Sequence, residues 1–224
     1  MAPYELEKFL ADLAYKDPNE RQSHLDRSVY KDHVKLHSGF NRDEFFSAED
    51  SKGQKHYNVH RGSHTKEDWL TSDVELAQNN LKDTGRFRRA SRMSFNATDR
   101  YASGKFSDGK KKEVVEVGHS LGGALAEHIA LDQKRSSVVF NQGTTPLRDY
   151  KEIDRSKHIH VRTKEDAVSA FDNNDQTISV DSVHGNGMFP IGTLNTMFVG
   201  SDITQSIVGS IFGAVKGHSL DAFG

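Results

Sequence analysis

Residues 113 to 130, with the sequence EVVEVGHSLGGALAEHIA, decide the fold of this chain. They begin with a valine-rich run, Val114 to Val117, which is typical of a strand covered on both faces of a sheet. They end with an alanine-rich run that favours a helix. At the junction, Gly118-His119-Ser120-Leu121-Gly122 fits the G-x-S-x-G pattern of a sharp strand-to-helix turn that presents a nucleophilic serine.

The glycines of this turn have a steric reason. A side chain at Gly118 or Gly122 would collide with the neighbouring strand or helix, and Gly123 keeps the helix close to the sheet. The N-terminus of the helix also favours negative charge that develops beside the serine. The pattern therefore predicts Ser120 as a nucleophile. The alternative is a glycine-rich turn in which Ser120 only caps the helix.

Strands and helices alternate on either side of this turn. The periodicity predicts helices over 4–15, 69–81, 86–102 and 121–131, and strands over 57–60, 113–117, 137–140 and 158–162. This alternation is typical of an α/β fold with a mostly parallel central sheet flanked by helices. We expect a single domain over 1–224, with its core over 57–223 and a helical or irregular region over 1–54.

Composition excludes several classes of function. The chain carries 30 basic and 32 acidic side chains, a net charge of −2, so no global field favours nucleic acid. The nearest approach to a basic patch, interpreted as a solvated surface, comprises Arg86, Arg88, Arg89, Arg92 and Lys110-Lys111-Lys112. The absence of cysteine excludes disulfides and thiol catalysis.

The first residues do not resemble a targeting signal. Met1 to Leu10 contains Glu5, Glu7 and Lys8, and therefore lacks the apolar centre of a signal peptide. The chain also has no uncharged apolar stretch long enough for a transmembrane helix. We expect a cytoplasmic or virion-associated protein.

Three segments, in order, extend the pattern beyond the turn. They are Val59-His60-Arg61-Gly62-Ser63, Asp68-Trp69-Leu70-Thr71-Ser72-Asp73, and Gly118-His119-Ser120-Leu121-Gly122-Gly123-Ala124-Leu125-Ala126. Together they resemble the class 3 lipase family, the fungal triacylglycerol lipase type. The resemblance covers about 57–223 and implies an α/β-hydrolase-like fold. It also implies a serine carboxylic-ester hydrolase of lipase, phospholipase or esterase type, acting in lipid metabolism through an acyl-enzyme on Ser120.

A tetrahedral oxyanion needs two hydrogen-bond donors near the serine. One is the backbone N–H of Leu121, the residue after the nucleophile. The resemblance implies that Ser63 supplies the second through its own backbone N–H. It also implies a lid over about 64–73, in which Trp69 and Leu70 meet the substrate, although Trp69 is equally well interpreted as a core residue of the next helix. This segment is otherwise polar, which argues against strong activation at a lipid interface.

The acid and the base should follow the serine in that order. The resemblance implies Asp166 as the acid, after the strand over 158–162, with Asp172, Asp175 and Asp181 as substitutes. A base after Asp166 is either His218 or His184, and the C-terminal segment around His218 resembles the family's element. Such a triad needs no metal or organic cofactor. His158 and His160 share one strand face, but no third metal ligand is evident.

The most apolar segment covers 191–215, and isoleucine and valine recur every four residues over 203–215. A helix over 203–217 that packs on the core explains this pattern. The alternatives are a wall of an acyl pocket, a transient contact with a lipid interface, or an oligomer contact. Lipid or small esters are the expected substrates.

Two other functions are consistent with these residues. A catalytically weak or inactive α/β-hydrolase would serve as a structural or interaction module, which the polar N-terminal quarter favours. Another serine acyl hydrolase, a thioesterase or a peptidase, would use the same triad.

Overall fold

The structure, a computed structural model, describes residues 4–63, 81–105, 109–142, 155–163 and 177–180. The helices in these ranges are α1 (Glu5–Leu13), α2 (Arg21–Asp26), α3 (Gly85–Tyr101) and α4 (Leu121–Gln133), with short 3₁₀ turns at Leu81–Asp83 and Arg155–Lys157. The strands are β1 (Val34–Arg42), β2 (Phe45–Asp50), β3 (Lys55–His60), β4 (Glu113–His119), β5 (Ser136–Phe140), β6 (His158–Thr163) and β7 (Thr177–Val180).

One mixed sheet joins the seven strands of the described ranges in chain order. β1, β2 and β3 form an antiparallel meander, whereas β3 to β7 run parallel. α1 packs on one face of the sheet, and α3 and α4 pack on the other. This is the α/β-hydrolase-like fold, with a mostly parallel sheet flanked by helices, that the sequence predicts. No helix in the described ranges is long and apolar enough to cross a bilayer.

The predicted helices and strands that fall in the described ranges are confirmed to within two residues at their ends. The helix predicted over 69–81 lies outside those ranges except for its last residue. The expectation of helical or irregular structure over 1–54 is wrong for β1 and β2. Their residues are too polar to show a clear period of two, because β1 is an edge strand with several exposed positions and an interrupted register.

A buried arginine fastens the N-terminal helices to the β1–β2 hairpin. The Arg21 side chain donates to the carbonyls of Leu13 and Ala14 at the end of α1, at 3.1 and 3.0 Å. It also donates to the carbonyl of Arg42 at the end of β1, at 2.7 Å. Since the planar guanidinium holds several acceptors at once, one residue fixes α1 against the sheet.

The two faces of β3 differ in chemistry because successive side chains point in opposite directions. Tyr57 and Val59 face α1 and join an aliphatic and aromatic core. His56, Asn58 and His60 are buried on the other face, towards α3. Buried polar groups therefore occupy positions that aliphatic residues fill in most sheets.

Glu116 of β4 is the centre of that polar face. Its carboxylate accepts hydrogen bonds from His60 Nε2 at 2.8 Å, Arg135 Nη1 at 2.6 Å, Ser94 Oγ at 2.7 Å and Asn58 Nδ2 at 3.0 Å. Burial alone would raise the pKa of Glu116, but the bonds from His60 and the charge of Arg135 lower it to about 2. The ionised carboxylate thus ties α3, β3 and Arg135, which lies two residues after α4, to β4.

Two buried histidines on the same face make stability depend on pH. His37 stacks on Tyr101 with 3.7 Å between ring centroids, and its ring lies 5.5 Å from that of His56. Burial lowers the pKa of both imidazoles to about 4. The unfolded chain, with histidine pKa values near 6.5, therefore binds more protons than the folded chain between pH 6.5 and pH 4.

We expect the free energy of unfolding to fall as the pH is lowered from 6.5 towards 4. The slope would approach about 1.4 kcal/mol per pH unit for each histidine. Urea unfolding at pH 7.5, 6.0 and 5.0 measures it. His37→Phe keeps the stack on Tyr101 and removes one titrating group, so it should flatten the slope. An unchanged slope in this variant would contradict the assignment.

Candidate active site

Ser120 stands between β4 and α4 in a strained backbone conformation. Its φ is 57° and its ψ is −127°, a combination that residues with a side chain rarely adopt. Such a conformation costs on the order of 1–3 kcal/mol and persists only where the surroundings enforce it. Here the Ser120 N–H donates to the Phe140 carbonyl at 3.1 Å, and the Ser120 carbonyl accepts from Ala124 N at 3.1 Å.

The glycines around Ser120 are required by close backbone approach. A Cβ atom at Gly118 would lie 2.1 Å from the Gly122 carbonyl oxygen. A Cβ atom at Gly122 would lie 2.2 Å from the His60 carbonyl oxygen and 2.8 Å from Gly62 N. Both predicted steric roles are confirmed, since Gly118 meets the start of α4, and Gly122 meets the last residue of β3 and the loop that follows it.

That loop, residues 61–63, lies against the nucleophile turn. β3 and β4 are parallel neighbours, with His60 paired to Gly118, so both strands end at the same edge of the sheet. A Cβ atom at Gly62 would lie 2.7 Å from the His119 carbonyl oxygen and 3.4 Å from Ser120 Cβ. The structure therefore brings the predicted oxyanion segment into van der Waals range of Ser120. The Ser63 hydroxyl is buried and makes no hydrogen bond to the described residues.

Arg86, at the start of α3, forms hydrogen bonds with the same loop. Its Nη2 donates to the carbonyl oxygens of Arg61 at 2.8 Å and Gly62 at 3.0 Å. All peptide bonds in the described ranges are trans, so the N–H that follows each carbonyl points the opposite way. The amide of Ser63 is consequently directed away from Arg86. Sequence analysis placed this arginine only in a basic cluster, because no local pattern connects it with a loop more than twenty residues earlier.

Tyr15 is a second residue that the sequence did not indicate. Its hydroxyl forms a hydrogen bond with Nδ1 of His119, the residue before the nucleophile, at 2.8 Å. The same hydroxyl lies so close to Gly62 that a side chain at that position would collide with it. Burial raises the pKa of Tyr15 far above its ordinary value, against the opposing effects of the Gly62 backbone and of Arg86 and Arg61. The phenol therefore stays protonated and uncharged beside His119 Nδ1. Tyr15 follows α1, so the N-terminal helix contributes to the site.

A buried cluster behind α4 links the ends of β5 and β6. Glu127 of α4 accepts from Gln142 Nε2 at 2.6 Å and pairs with His160 Nε2 at 3.0 Å. Asn141 Oδ1 accepts from Thr163 N at 2.9 Å. These contacts hold the end of β6 beside β5, the strand adjacent to β4. Asp166 follows the end of β6 in the sequence.

The other predicted site residues lie outside the described ranges. They are Asp166, His218, His184, Trp69 and Leu70, together with the helix over 203–217. Their roles stay predictions. No group of three or more potential metal ligands occurs among the residues that the structure describes.

The molecule has the fold of an α/β-hydrolase. Three features define it: the order of the strands in the sheet, the position of the turn at Ser120, and the loop at Gly62 beside it. A sequence model of a phospholipase-like family, the Tle-like phospholipase domain, matches residues 9–219. The chain therefore belongs to this family. The match supports a lipase- or phospholipase-like protein, without specifying class 3.

Comparison with solved structures found the Lip2 lipase from Yarrowia lipolytica. Its crystal structure shares 16% sequence identity with this chain at a TM-score of 0.48, covering 83% of this chain and 80% of Lip2. No curated protein matches the sequence significantly.

Proposed function

We propose that this protein is a serine hydrolase that cleaves carboxylic esters of phospholipids, with Ser120 as the nucleophile. The observation that carries the proposal is the strained Ser120 at a strand-to-helix turn, packed against the loop at Gly62. A capping serine needs no such conformation, since an ordinary N-cap residue has an extended backbone. Membership of a phospholipase-like family supports a phospholipid as the substrate. The resemblance to class 3 lipases supplies the roles of the remaining residues.

In this proposal His218 removes the proton from Ser120 as the hydroxyl attacks the ester carbonyl. The alcohol leaves with that proton, and an acyl-enzyme forms on Ser120. Water then attacks the acyl-enzyme through the same imidazole and releases the fatty acid. Asp166 holds the imidazole in the correct tautomer and stabilises its positive charge.

The oxyanion of the tetrahedral intermediate would be bound by the amides of Leu121 and Ser63. Leu121 N begins α4, where the amides have no partner within the helix. Arg86 turns the carbonyls of the preceding loop towards itself, so the Ser63 amide faces away from α3. The Ser63 hydroxyl, buried without a partner in the described ranges, is available as a further donor.

In this proposal Asp166 reaches the same edge of the sheet from the end of β6. It follows the end of β6 at Thr163 by three residues, which span at most about 10 Å. β6 is separated from β4 by β5 alone, so the two strand ends are about 10 Å apart. The chain length after β6 therefore suits a carboxylate that supports an imidazole beside Ser120.

A fluorophosphonate probe tests the proposal, because it labels a serine only where a base and an oxyanion site activate it. We expect stoichiometric labelling of the wild-type chain at Ser120, identified by peptide mass spectrometry. Ser120→Ala should abolish the label, whereas Ser136→Ala, a serine at the start of β5, should leave it unchanged. Absence of label on folded wild-type protein would refute the proposal and favour a non-catalytic module. Hydrolysis of thioesters or peptides in preference to phospholipids would instead indicate another acyl hydrolase.

A further inference from the structure

The outer face of α3 concentrates positive charge on a chain that is negative overall. The helix contains five arginines and one aspartate, a net +4, against −2 for the whole protein. Its single acid, Asp99, pairs with Lys105 at 2.6 Å. Only Arg86 of the five arginines is engaged in the site, through the loop carbonyls.

The remaining arginines face solvent together with an aromatic ring. Arg88, Arg92 and Phe95 are spaced i, i+4, i+7 and so form one stripe, with Arg89 beside it; all four are exposed. Phe95 is 59% exposed, and among the described residues only Val29 is a comparably exposed large apolar side chain. Arg92 makes no ion pair within the described ranges. Arg89 forms one exposed ion pair, in which its Nη2 lies 3.5 Å from Glu44 Oε2.

Local structure explains only part of this arrangement: Arg88 Nη1 donates to the Asp83 carbonyl before the helix at 2.7 Å. Cations in the first turns of a helix are unfavourable because that end of the helix carries a partial positive charge. α3 has no acid in its first turn, yet Arg86, Arg88 and Arg89 all lie there or immediately after it. The arginines thus work against the helix dipole, which is consistent with an anionic partner on this face.

The position of α3 relates this face to the candidate site. Arg86 contacts the loop at Gly62, whereas Tyr101 at the other end of α3 stacks on His37 near the start of β1. The N-terminal half of the helix, with Arg88, Arg89 and Arg92, therefore lies at the edge of the sheet that carries Ser120.

We propose that the exposed face of α3 binds an anionic phospholipid surface and positions the protein on it. The proposal deepens the proposed function and rests on it for the choice of lipid as partner. Exposed guanidinium groups contact the anionic headgroups, and Phe95 inserts at the level of the acyl boundary. The helix does not span the bilayer; it orients the edge that carries Ser120 towards its substrate.

Sedimentation with vesicles tests the proposal, using the full chain with Ser120→Ala to prevent hydrolysis. Vesicles of equal parts phosphatidylglycerol and phosphatidylcholine are compared with vesicles of phosphatidylcholine alone. We expect preferential binding to the anionic vesicles, weakened by salt. The double change Arg88→Gln/Arg92→Gln should lower that affinity about thirtyfold, and Phe95→Ser should lower it severalfold.

Lys31→Gln/Lys52→Gln is the matched control. It removes the same two charges from exposed positions at the opposite edge of the sheet, near the start of β1 and between β2 and β3. Equal losses in the two double variants, or equal binding to neutral and anionic vesicles, would overturn the proposal. So would a duplex oligonucleotide that bound through the same arginines at least as tightly as the vesicles.

Turnover of a soluble short-chain ester separates this proposal from the proposed function. The α3 variants, in a chain that retains Ser120, should hydrolyse p-nitrophenyl butyrate at the wild-type rate and lose activity only on anionic vesicles. Esterase activity without vesicle preference would refute the docking face and leave the proposed function intact. Vesicle preference without any turnover would refute the function and leave the docking face intact.

Discussion

Replacing His218 by alanine is expected to lower kcat/KM for a short-chain ester by at least about a thousandfold, whereas His184→Ala should change it only a few-fold. Loss of the general base leaves Ser120 protonated and weakly nucleophilic. Three described histidines near the sheet edge that carries Ser120 already have hydrogen-bond partners. His119 Nδ1 contacts Tyr15, His60 Nε2 contacts Glu116, and His160 Nε2 contacts Glu127. The base is therefore expected from the C-terminal segment.

The measurement is steady-state hydrolysis of p-nitrophenyl butyrate across pH 5 to 9 by the two single variants. Circular dichroism and thermal unfolding serve as controls, because a loss of activity in a misfolded chain carries no information about the base. A large loss in His184→Ala with near-normal His218→Ala would exchange the two assignments. Near-normal activity in both would exclude the proposed triad.

Gly122→Ala is expected to destabilise the folded protein by about 4 kcal/mol or more, or to prevent folding. The new Cβ atom would lie 2.2 Å from the His60 carbonyl oxygen and 2.8 Å from Gly62 N, and both neighbours are backbone. Such a contact is relieved only by moving α4 or the loop after β3, which falls among the large overpacking effects. The same movement would displace the loop from Ser120, so any folded fraction should also lose activity.

Gly123→Ala provides a close control, because it makes the same chemical change one residue later in the same helix. Its Cβ atom would meet its nearest neighbours, Gln142 Cβ and Val139 Cβ among them, at 3.4 Å. The gain in helix propensity, about 1 kcal/mol, is common to both changes. We expect the Gly123 variant to stay within about 1 kcal/mol of the wild type in urea unfolding. Similar stabilities for the two variants would show that the loop does not press on α4 as the structure places it.

Local sequence patterns are sufficient to predict β3 to β6 and the turn at Ser120, whereas β7, a strand of only four residues, was not predicted. Val114, Val115 and Val117 identify a buried strand, and the glycines identify the turn, because each signal is contained within a few consecutive residues. β1 and β2 were not predicted, because their polar residues are explained by contacts that form only in the folded chain. Arg21 and Asp50 make such contacts. Asp50 accepts from His33 at 2.8 Å and from the amides of Lys52 and Gly53, which no periodicity indicates.

The sequence by itself determined the nucleophile turn and the order of strands and helices around it, because steric demands on neighbouring residues leave a readable local pattern. Ser63 was indicated only by the resemblance to class 3 lipases. Only the tertiary structure brought Tyr15 and Arg86 to that turn and loop, and gathered His60, Ser94 and Arg135 around Glu116. These contacts join residues 19 to 104 positions apart, through hydrogen bonds whose geometry depends on how whole elements pack. A polar side chain carries no local sign of the partner it will meet across the sheet.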